Sequence, residues 1–280
     1  MVVTPTRQEE RRAVGPVSLQ VFTGGQGERL LILHDHEYVN KWEPYEETLA
    51  RQFAVIAPSH PGYGSSDLPR DFDTIEDFAY LYLDLLRDLG PSPVDVVGLG
   101  LGGWIAAEVA VRCTHHIKRL VLVDAVGIKV GDRTTRDIAD TFVIGAREFL
   151  DLAWHDPEAG ARQMQLAGLG NYTEEELVTI LRGRQTTALF TWKPFMHNPK
   201  LRPWLHRIDI PTLVLWGESD KIVTPEYGRA YAESIPGARF QTIPAAGHYP
   251  YLEQPEAFAA AVAAFLHEGE TATAPRANER

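Results

Sequence analysis

Four short runs of aliphatic residues constrain the possible fold of this chain more than any other feature. Residues 30–33, 94–97, 120–123 and 213–215 are almost entirely Val, Leu and Ile, without alternation of polar and apolar side chains. Strands that are buried on both faces have this composition, as in a parallel sheet covered by helices. The sequence therefore predicts an α/β fold: a mostly parallel open sheet with helices on both faces.

The wider pattern around these runs predicts seven strands, at residues 17–23, 30–34, 53–57, 94–98, 119–124, 212–217 and 239–243. Amphipathic stretches between the strands predict helices at residues 42–51, 74–89, 102–113, 225–234 and 254–267. A helix that follows a strand and precedes the next one fits a right-handed crossover between parallel neighbours.

The segment 126–207 interrupts this alternation, because its patterns are helical and include no convincing strand. We predict a helical cap here, inserted into one discontinuous core domain formed by residues 1–125 and 208–280. The polar segments 1–12 and 268–280 lack apolar periodicity and are predicted to be flexible tails. Packing inside the cap is the commoner role of large aromatic residues. Three of them are nevertheless candidate substrate contacts: Phe142, Trp192 and Phe195.

The charge balance limits the partners that the chain can have. Lys and Arg number 27 against 38 Asp and Glu, for a formal net charge of −11, which argues against nucleic acid or an anionic membrane surface. The single cysteine, Cys113, fits a reducing compartment, and neither a run of about 20 apolar residues nor a secretory signal is recognisable. We expect a cytoplasmic monomer or homodimer that binds a small molecule.

A glycine-rich turn between a predicted strand and helix has two interpretations. Gly98, Gly100 and Gly103 fit the G-x-G-x-x-G pattern of dinucleotide sites, with Asp124 placed to bind a ribose. The turn lies in the middle of the predicted sheet, however, and no second nucleotide-binding half follows. The alternative is the G-x-S-x-G nucleophile elbow, in which Gly100 stands at the serine position.

The residues that follow the turn favour the elbow. In the elbow-bearing fold, the nucleophile, an acid and a histidine come in that order along the chain. Asp220 follows one predicted strand, and His248 follows the next strand and precedes the last helix. We therefore expect Asp220 to orient His248 opposite Gly100.

On these motifs the chain resembles the cap-bearing α/β-hydrolases over about residues 15–267. The matching stretches are His34 after its strand, the sequence APSHPGYGSS at 57–66, the turn at 98–102, WGESD at 216–220, and Gly247-His248. The segment 192–201 is similar to the branch that includes the meta-cleavage-product hydrolases, which cut carbon–carbon bonds.

Two positions depart from what this resemblance implies. Gly100 has no side chain with which to form an acyl-enzyme. Relatives normally have glycine after the histidine that corresponds to His34, whereas this chain has Asp35, which opposes the stabilisation of negative charge beside it. The backbone N–H groups of Leu101 and His36 are what we expect to remain of the oxyanion hole.

Three explanations stay open. First, the His248–Asp220 dyad acts as general base on water or on a substrate proton, on a small, partly apolar carbonyl compound. Second, the cleft binds a ligand without turnover, in which case the chain resembles the N-myc downstream-regulated family, which carries glycine at the elbow. Third, Gly100 is an engineered knockout of a serine hydrolase, against which the second departure at Asp35 argues.

The histidines suggest a further alternative. No organic cofactor is predicted, but three imidazoles and a carboxylate suit zinc, iron or manganese, so His36, His60 and His248 are candidate ligands of a divalent transition metal above Gly100. Histidines at 34 and 60 also occur in relatives without metal, and Glu37 fits a solvated acidic rim equally well. Four residues of this region complete the candidate substrate contacts: His34, Asp35, Glu37 and His60.

Overall fold

The computed structural model describes residues 7–36, 42–164 and 173–268. Within these ranges the chain forms one eight-stranded sheet in the order β1-β2-β4-β3-β5-β6-β7-β8. The strands are β1 (Gln8–Val14), β2 (Val17–Gly24), β3 (Glu28–Leu33), β4 (Phe53–Pro58), β5 (Val94–Leu99), β6 (Ile117–Val123), β7 (Thr212–Gly217) and β8 (Arg239–Ile243). From β4 to β8 all neighbours are parallel, whereas β1 and β2 are antiparallel additions at one edge. The predicted α/β fold with its mostly parallel sheet is confirmed.

The helices of the core pack on both faces of this sheet. They are α1 (Pro44–Leu49), α2 (Ile75–Asp88), α3 (Leu101–Arg112), α7 (Pro225–Ser234), α8 (Pro250–Glu253) and α9 (Pro255–Leu266). The aliphatic runs form the centre of the core, because every residue of β5 and of β7 is buried. In the part of the chain that the structure describes, no helix combines the length and apolar character that a bilayer crossing needs.

The glycines of the turn after β5 bring α3 close to the sheet. A Cβ atom on Gly102 would lie 2.1 Å from the carbonyl oxygen of Leu33 in β3, and one on Gly103 would lie 2.5 Å from the Cβ of Ala125. Side chains at these positions would therefore collide with the sheet. A Cβ atom on Gly98 would lie 2.5 Å from the carbonyl oxygen of Gly102. Close packing therefore accounts for Gly98 and Gly103, two of the glycines that also fitted a dinucleotide fingerprint.

The segment between β6 and β7 contains α4 (Ala146–Ala153), α5 (Pro157–Gln163), α6 (Glu174–Thr191) and a 3₁₀ helix at Arg202–Arg207. Thr187 of α6 shares a hydrogen bond of 2.6 Å with Tyr63, in the loop after β4, and Ala153 accepts one of 2.7 Å from the backbone N–H of His248. The segment thus contacts loops at the carboxyl ends of the parallel strands. Its division from the core as a separate cap stays a prediction.

One prediction about the chain ends is wrong. Residues 8–12, assigned to a flexible tail, belong to β1, which pairs along its whole length with β2 from Gln8–Thr23 to Val14–Val17. Arg11 also binds Ser18 and Asp67, with Nη2 3.1 Å from the Asp67 carboxylate. At the other end residue 268 is a turn that follows α9, and 269–280 lie outside the described residues.

Candidate active site

The turn after β5 places Gly100 at the carboxyl edge of the sheet. Its backbone has φ 49° and ψ −109°, between the end of β5 and the start of α3, and its N–H donates to the carbonyl of Val123 at 2.9 Å. Positive φ disfavours residues with a side chain. A Cβ at this position would also lie 2.1 Å from Oδ1 of Asp35. The Asp35 carboxylate therefore fills the volume that a side chain at residue 100 would need.

Asp35 follows β3 and is held in this position by three donors on one oxygen. Its Oδ1 accepts the backbone N–H of Leu101 at 2.8 Å, the backbone N–H of His36 at 2.7 Å and the His36 ring at Nδ1 at 2.8 Å. Leu101 and His36 are the two residues predicted to supply oxyanion-stabilising N–H groups. In this structure both groups bind the protein's own carboxylate.

The second oxygen of Asp35 faces His248. Oδ2 is buried, has no hydrogen-bond partner among the described residues and lies 3.7 Å from Nε2 of His248, which is too long for a direct hydrogen bond. Nε2 of His248 likewise has no partner among those residues. An unpartnered carboxylate oxygen and an unpartnered imidazole nitrogen thus face each other beside Gly100.

Opposing effects act on the pKa of Asp35. Burial raises it, but the neighbouring His36 and His248 and the N–H of Leu101 outweigh burial and hold the pKa well below its usual range. Asp35 is therefore a carboxylate at neutral pH, despite being only 3% exposed.

His248 is oriented from its other side by Asp220. The two residues share a hydrogen bond of 2.8 Å between Nδ1 and Oδ2, and Oδ1 of Asp220 accepts the backbone N–H groups of Ile222 and Val223 at 2.8 and 3.0 Å. Burial lowers the pKa of His248, but Asp220 and Asp35 more than offset this, so the net direction is upward. The predicted pairing of Asp220 with His248 is present in the structure.

Sequence reasoning did not assign Asp124 to this site. Asp124 ends β6, is buried, and accepts the backbone N–H of Gly217 through Oδ1 at 2.9 Å. Burial and the neighbouring Asp220 raise the pKa of Asp124 well above its usual range. Its burial against β7 also contradicts the ribose-binding role considered for it. The only sequence signal for a role of Asp124 in this site was its position as an acidic residue at the end of a strand in the middle of the sheet.

Comparison with known proteins agrees with this geometry. Residues 30–261 match the model of the alpha/beta hydrolase family.

The chain belongs to this alpha/beta hydrolase family.

Among curated relatives of this hydrolase-family chain is the pimeloyl-[acyl-carrier protein] methyl ester esterase of Chromobacterium violaceum, 30% identical over 259 residues that cover 89% of this chain and 98% of the esterase. Two solved structures share the fold. A serine hydrolase involved in carbazole degradation has a TM-score of 0.73 at 22% identity and covers 93% of this chain and 99% of its own. The 2-hydroxy-6-oxo-6-phenylhexa-2,4-dienoate hydrolase of Rhodococcus sp. strain RHA1 has a TM-score of 0.73 at 20% identity, with 94% and 100% covered. The expected resemblance to the meta-cleavage-product hydrolases is confirmed at the level of the fold.

His34 and His60 both form hydrogen bonds inside the protein. The ring of His34 binds the Asp35 carbonyl through Nδ1 at 2.6 Å and accepts the His60 N–H through Nε2 at 2.9 Å. The His60 ring binds Tyr82 through Nδ1 at 2.5 Å and the His34 carbonyl through Nε2 at 2.8 Å. Burial is the main cause that lowers the pKa of each, to about 4 for His60. Both rings are therefore neutral and connect the ends of β3 and β4; contact of either ring with a substrate stays a prediction.

The predicted metal ligands are not assembled. Both ring nitrogens of His60 are engaged as described, and Nδ1 of His36 is bound to Asp35. Among the described residues, the one group with suitably close ligand atoms is Asp124, Asp220 and His248. In this group, Oδ2 of Asp220 already binds Nδ1 of His248, and the Oδ1 atoms of Asp220 and Asp124 accept backbone N–H groups. Most of its ligand atoms are therefore engaged, so the set does not suit a cation.

The three aromatic residues predicted to contact a substrate lie close to one another. Phe142, Trp192 and Phe195 have ring centroids 6.0 to 6.4 Å apart, and Trp192 is 55% exposed. Phe195 also lines a cavity of about 620 Å³ together with Lys129, Arg133 and Arg136. Contact of this cluster with a substrate stays a prediction, and Glu37 lies outside the described residues.

Proposed function

We propose that this protein is a hydrolase without a serine nucleophile, in which His248 acts as general base on water. The observation that carries the proposal is the pairing of His248 with Asp220 through Nδ1. Nε2 has no hydrogen-bond partner among the described residues and faces Oδ2 of Asp35 at 3.7 Å. Asp220 holds the ring in the tautomer with its proton on Nδ1, which makes Nε2 the basic nitrogen. General base catalysis of this kind contributes roughly 10²–10⁴-fold to a rate.

The contacts of Asp35 argue against serine-type acyl chemistry. A tetrahedral intermediate needs donors at the position where its negative charge develops, and the N–H groups of Leu101 and His36 already bind Oδ1 of Asp35. An ester or ketone substrate would find these donors occupied. For the same reason, an enolate formed by proton abstraction from a carbonyl compound would lack stabilisation here, so the structure favours activation of water over a lyase or isomerase step.

The family context supports a small-molecule substrate. The Chromobacterium relative bears the name of a methyl ester esterase, and hydrolysis in this chain would use the His248–Asp220 pair on water in place of a serine hydroxyl. The aromatic cluster in the segment between β6 and β7 is our candidate for recognising a partly apolar substrate. A metal is not part of this proposal.

The test is substitution of the base. A panel of short aryl esters, epoxides and β-diketones, followed by mass spectrometry of the products, identifies a hydrolysed compound. His248→Gln is expected to lower its turnover at least about 10²-fold, the low end for a general base. Ser219→Ala is the matched control, because Ser219 follows the same strand as Asp220 but binds His155 at 2.8 Å; this variant should retain the wild-type rate. An unchanged rate in His248→Gln would remove His248 from the mechanism.

A ligand-binding protein without turnover is the second candidate, and one observation favours it. Asp35 and His248 are 3% and 1% exposed, and the N–H groups nearest to them are satisfied internally, as in a site that has ceased to react. This candidate predicts that compounds of the panel raise the thermal unfolding temperature while none is converted, in wild type and in His248→Gln alike.

A further inference from the structure

We propose that Asp35 is the nucleophile of this site and that its substrate is an epoxide. The inference rests on the proposed role of His248 and adds the residue that attacks and the chemical class attacked. The carboxylate comes from the loop after β3, not from the turn after β5, and reaches the position that the side chain of residue 100 would otherwise fill.

The two oxygens of Asp35 are placed for different tasks. Oδ1 is fixed by the N–H groups of Leu101 and His36 and by the His36 ring. Oδ2 has no hydrogen-bond partner among the described residues and lies 3.7 Å from Nε2 of His248. An ionised carboxylate with one anchored and one unpartnered oxygen is a preoriented nucleophile.

The occupied donors determine the kind of carbon that can be attacked. Attack on a carbonyl would develop charge on a substrate oxygen, and the N–H groups of Leu101 and His36 that could stabilise it already bind Asp35. Attack on a saturated carbon develops charge only on the leaving atom. If Asp35 becomes esterified through Oδ2, its own carbonyl oxygen Oδ1 already lies between the N–H groups of Leu101 and His36. The donors are therefore positioned for hydrolysis of an ester of Asp35 itself.

The first step opens the ring. Oδ2 of Asp35 forms a bond to one epoxide carbon, the bond from that carbon to the ring oxygen breaks, and the ring oxygen keeps the electron pair. Protonated His248 gives its Nε2 proton to this oxygen, which leaves a hydroxyalkyl ester of Asp35 and a neutral imidazole. The requirement for this proton favours an epoxide over an alkyl halide, because the halide would leave as a free anion.

The second step hydrolyses the ester. Neutral His248 takes a proton from water, and the hydroxide adds to Cγ of Asp35, so that negative charge develops on Oδ1 between the two N–H groups. Collapse breaks the bond from Cγ to the former Oδ2, and the departing oxygen takes the proton back from His248 to complete a diol. The new carboxylic acid of Asp35 returns its proton to His248, and the net reaction is epoxide plus water giving diol.

An oxygen-labelling experiment tests the nucleophile directly. Enzyme in excess over styrene oxide reacts once in H₂¹⁸O, in a Cys113→Ala background because Cys113 is an exposed free thiol that epoxides alkylate. We expect unlabelled diol and one ¹⁸O in the peptide that contains Asp35, because water oxygen enters the carboxylate first. Labelled diol with an unlabelled peptide would show direct attack by water; it would overturn the inference and leave the proposed role of His248 intact.

Trapping gives an independent readout. Wild-type enzyme quenched with acid during a single turnover is expected to hold a covalent adduct of one styrene oxide on Asp35, detected by intact mass and peptide mapping. His248→Gln lacks the acid that opens the ring and should hold none. Asp35→Asn should form no adduct and lose diol formation roughly 10⁶-fold, the size seen when a nucleophile is removed. The exposed Asp132→Asn is the matched control and should behave as wild type. Absence of both diol and adduct with styrene oxide and 1,2-epoxyhexane would also overturn the inference. The proposed function would then still be tested by the wider substrate panel.

Discussion

At the scale of single residues, positions 35 and 100 share one volume. The missing side chain of Gly100 leaves room for the Asp35 carboxylate, and the carboxylate satisfies the N–H group of Leu101 that this turn presents. The sequence pointed to both residues separately, as a lost nucleophile and as an unfavourable charge. Their complementarity was not predictable, because it depends on the direction in which the chain leaves β3.

Gly100→Ala is predicted to lower the free energy of unfolding by roughly 3 kcal/mol, since it combines positive φ with displacement of a buried carboxylate from its donors. Urea unfolding measures the change. Gly15→Ala is the control, because Gly15 has a similar φ of 54° but nothing within 4 Å of a Cβ placed there. It should cost only about 1 kcal/mol. Equal costs at the two positions would show that Asp35 does not occupy the space beside residue 100.

Gly100→Ser combined with Asp35→Gly is predicted to create measurable hydrolysis of short aryl esters. Asp35→Gly frees the N–H groups of Leu101 and His36 for an oxyanion, and the new hydroxyl would lie beside His248. Release of p-nitrophenol measures the rate. The control is Gly100→Ser alone, which should stay inactive because the carboxylate still occupies the donors; inactivity of the double variant would contradict the assigned geometry.

At the scale of secondary structure, the buried elements were predictable and the exposed edge was not. The aliphatic runs identified β3, β5, β6 and β7, because strands covered on both faces tolerate few polar residues. β1 has the sequence QEERRAV and is exposed along most of its length, so it lacks the apolar pattern on which the strand assignments relied. Backbone pairing with β2 and the contacts of Arg11 stabilise this strand instead. Because such contacts do not require apolar residues, the amino-acid composition does not indicate them.

Deletion of residues 1–14 is predicted to lower the thermal unfolding temperature and to promote association. It would expose the edge of β2, whose residues from Leu19 to Phe22 are buried, and unpaired strand edges pair with other chains. Calorimetry and size-exclusion chromatography measure the two effects. A chain lacking only residues 1–6 retains β1 and should behave as the full chain; if both deletions behave alike, β1 does not contribute to stability.

At the scale of the whole molecule, buried neutral histidines predict sensitivity to acid. The pKa of His60 is lowered to about 4 by burial, so between pH 6.5 and 4 the unfolded chain binds a proton that the folded chain does not. The free energy of unfolding therefore falls as the pH falls through this window, by roughly 3 kcal/mol from His60. His34 acts in the same direction.

Urea unfolding at pH 7 and at pH 4.5 measures this loss. His60→Gln removes the group that titrates, so its stability at pH 7 is expected to be lower than that of wild type but to fall less on acidification. The exposed His206→Gln is the matched control and should keep the wild-type pH dependence. An equal acid loss in His60→Gln and wild type would assign the effect to other groups.

The interlocking of Asp35 and Gly100 restricts the mutational routes that lead away from this site. A serine gained first at position 100 would collide with the carboxylate, and a glycine gained first at position 35 would leave the pocket without any nucleophilic group beside His248. On the proposed mechanism each intermediate lacks a usable nucleophile, so a lineage with this pair is expected to keep it and to diversify through the residues that surround it.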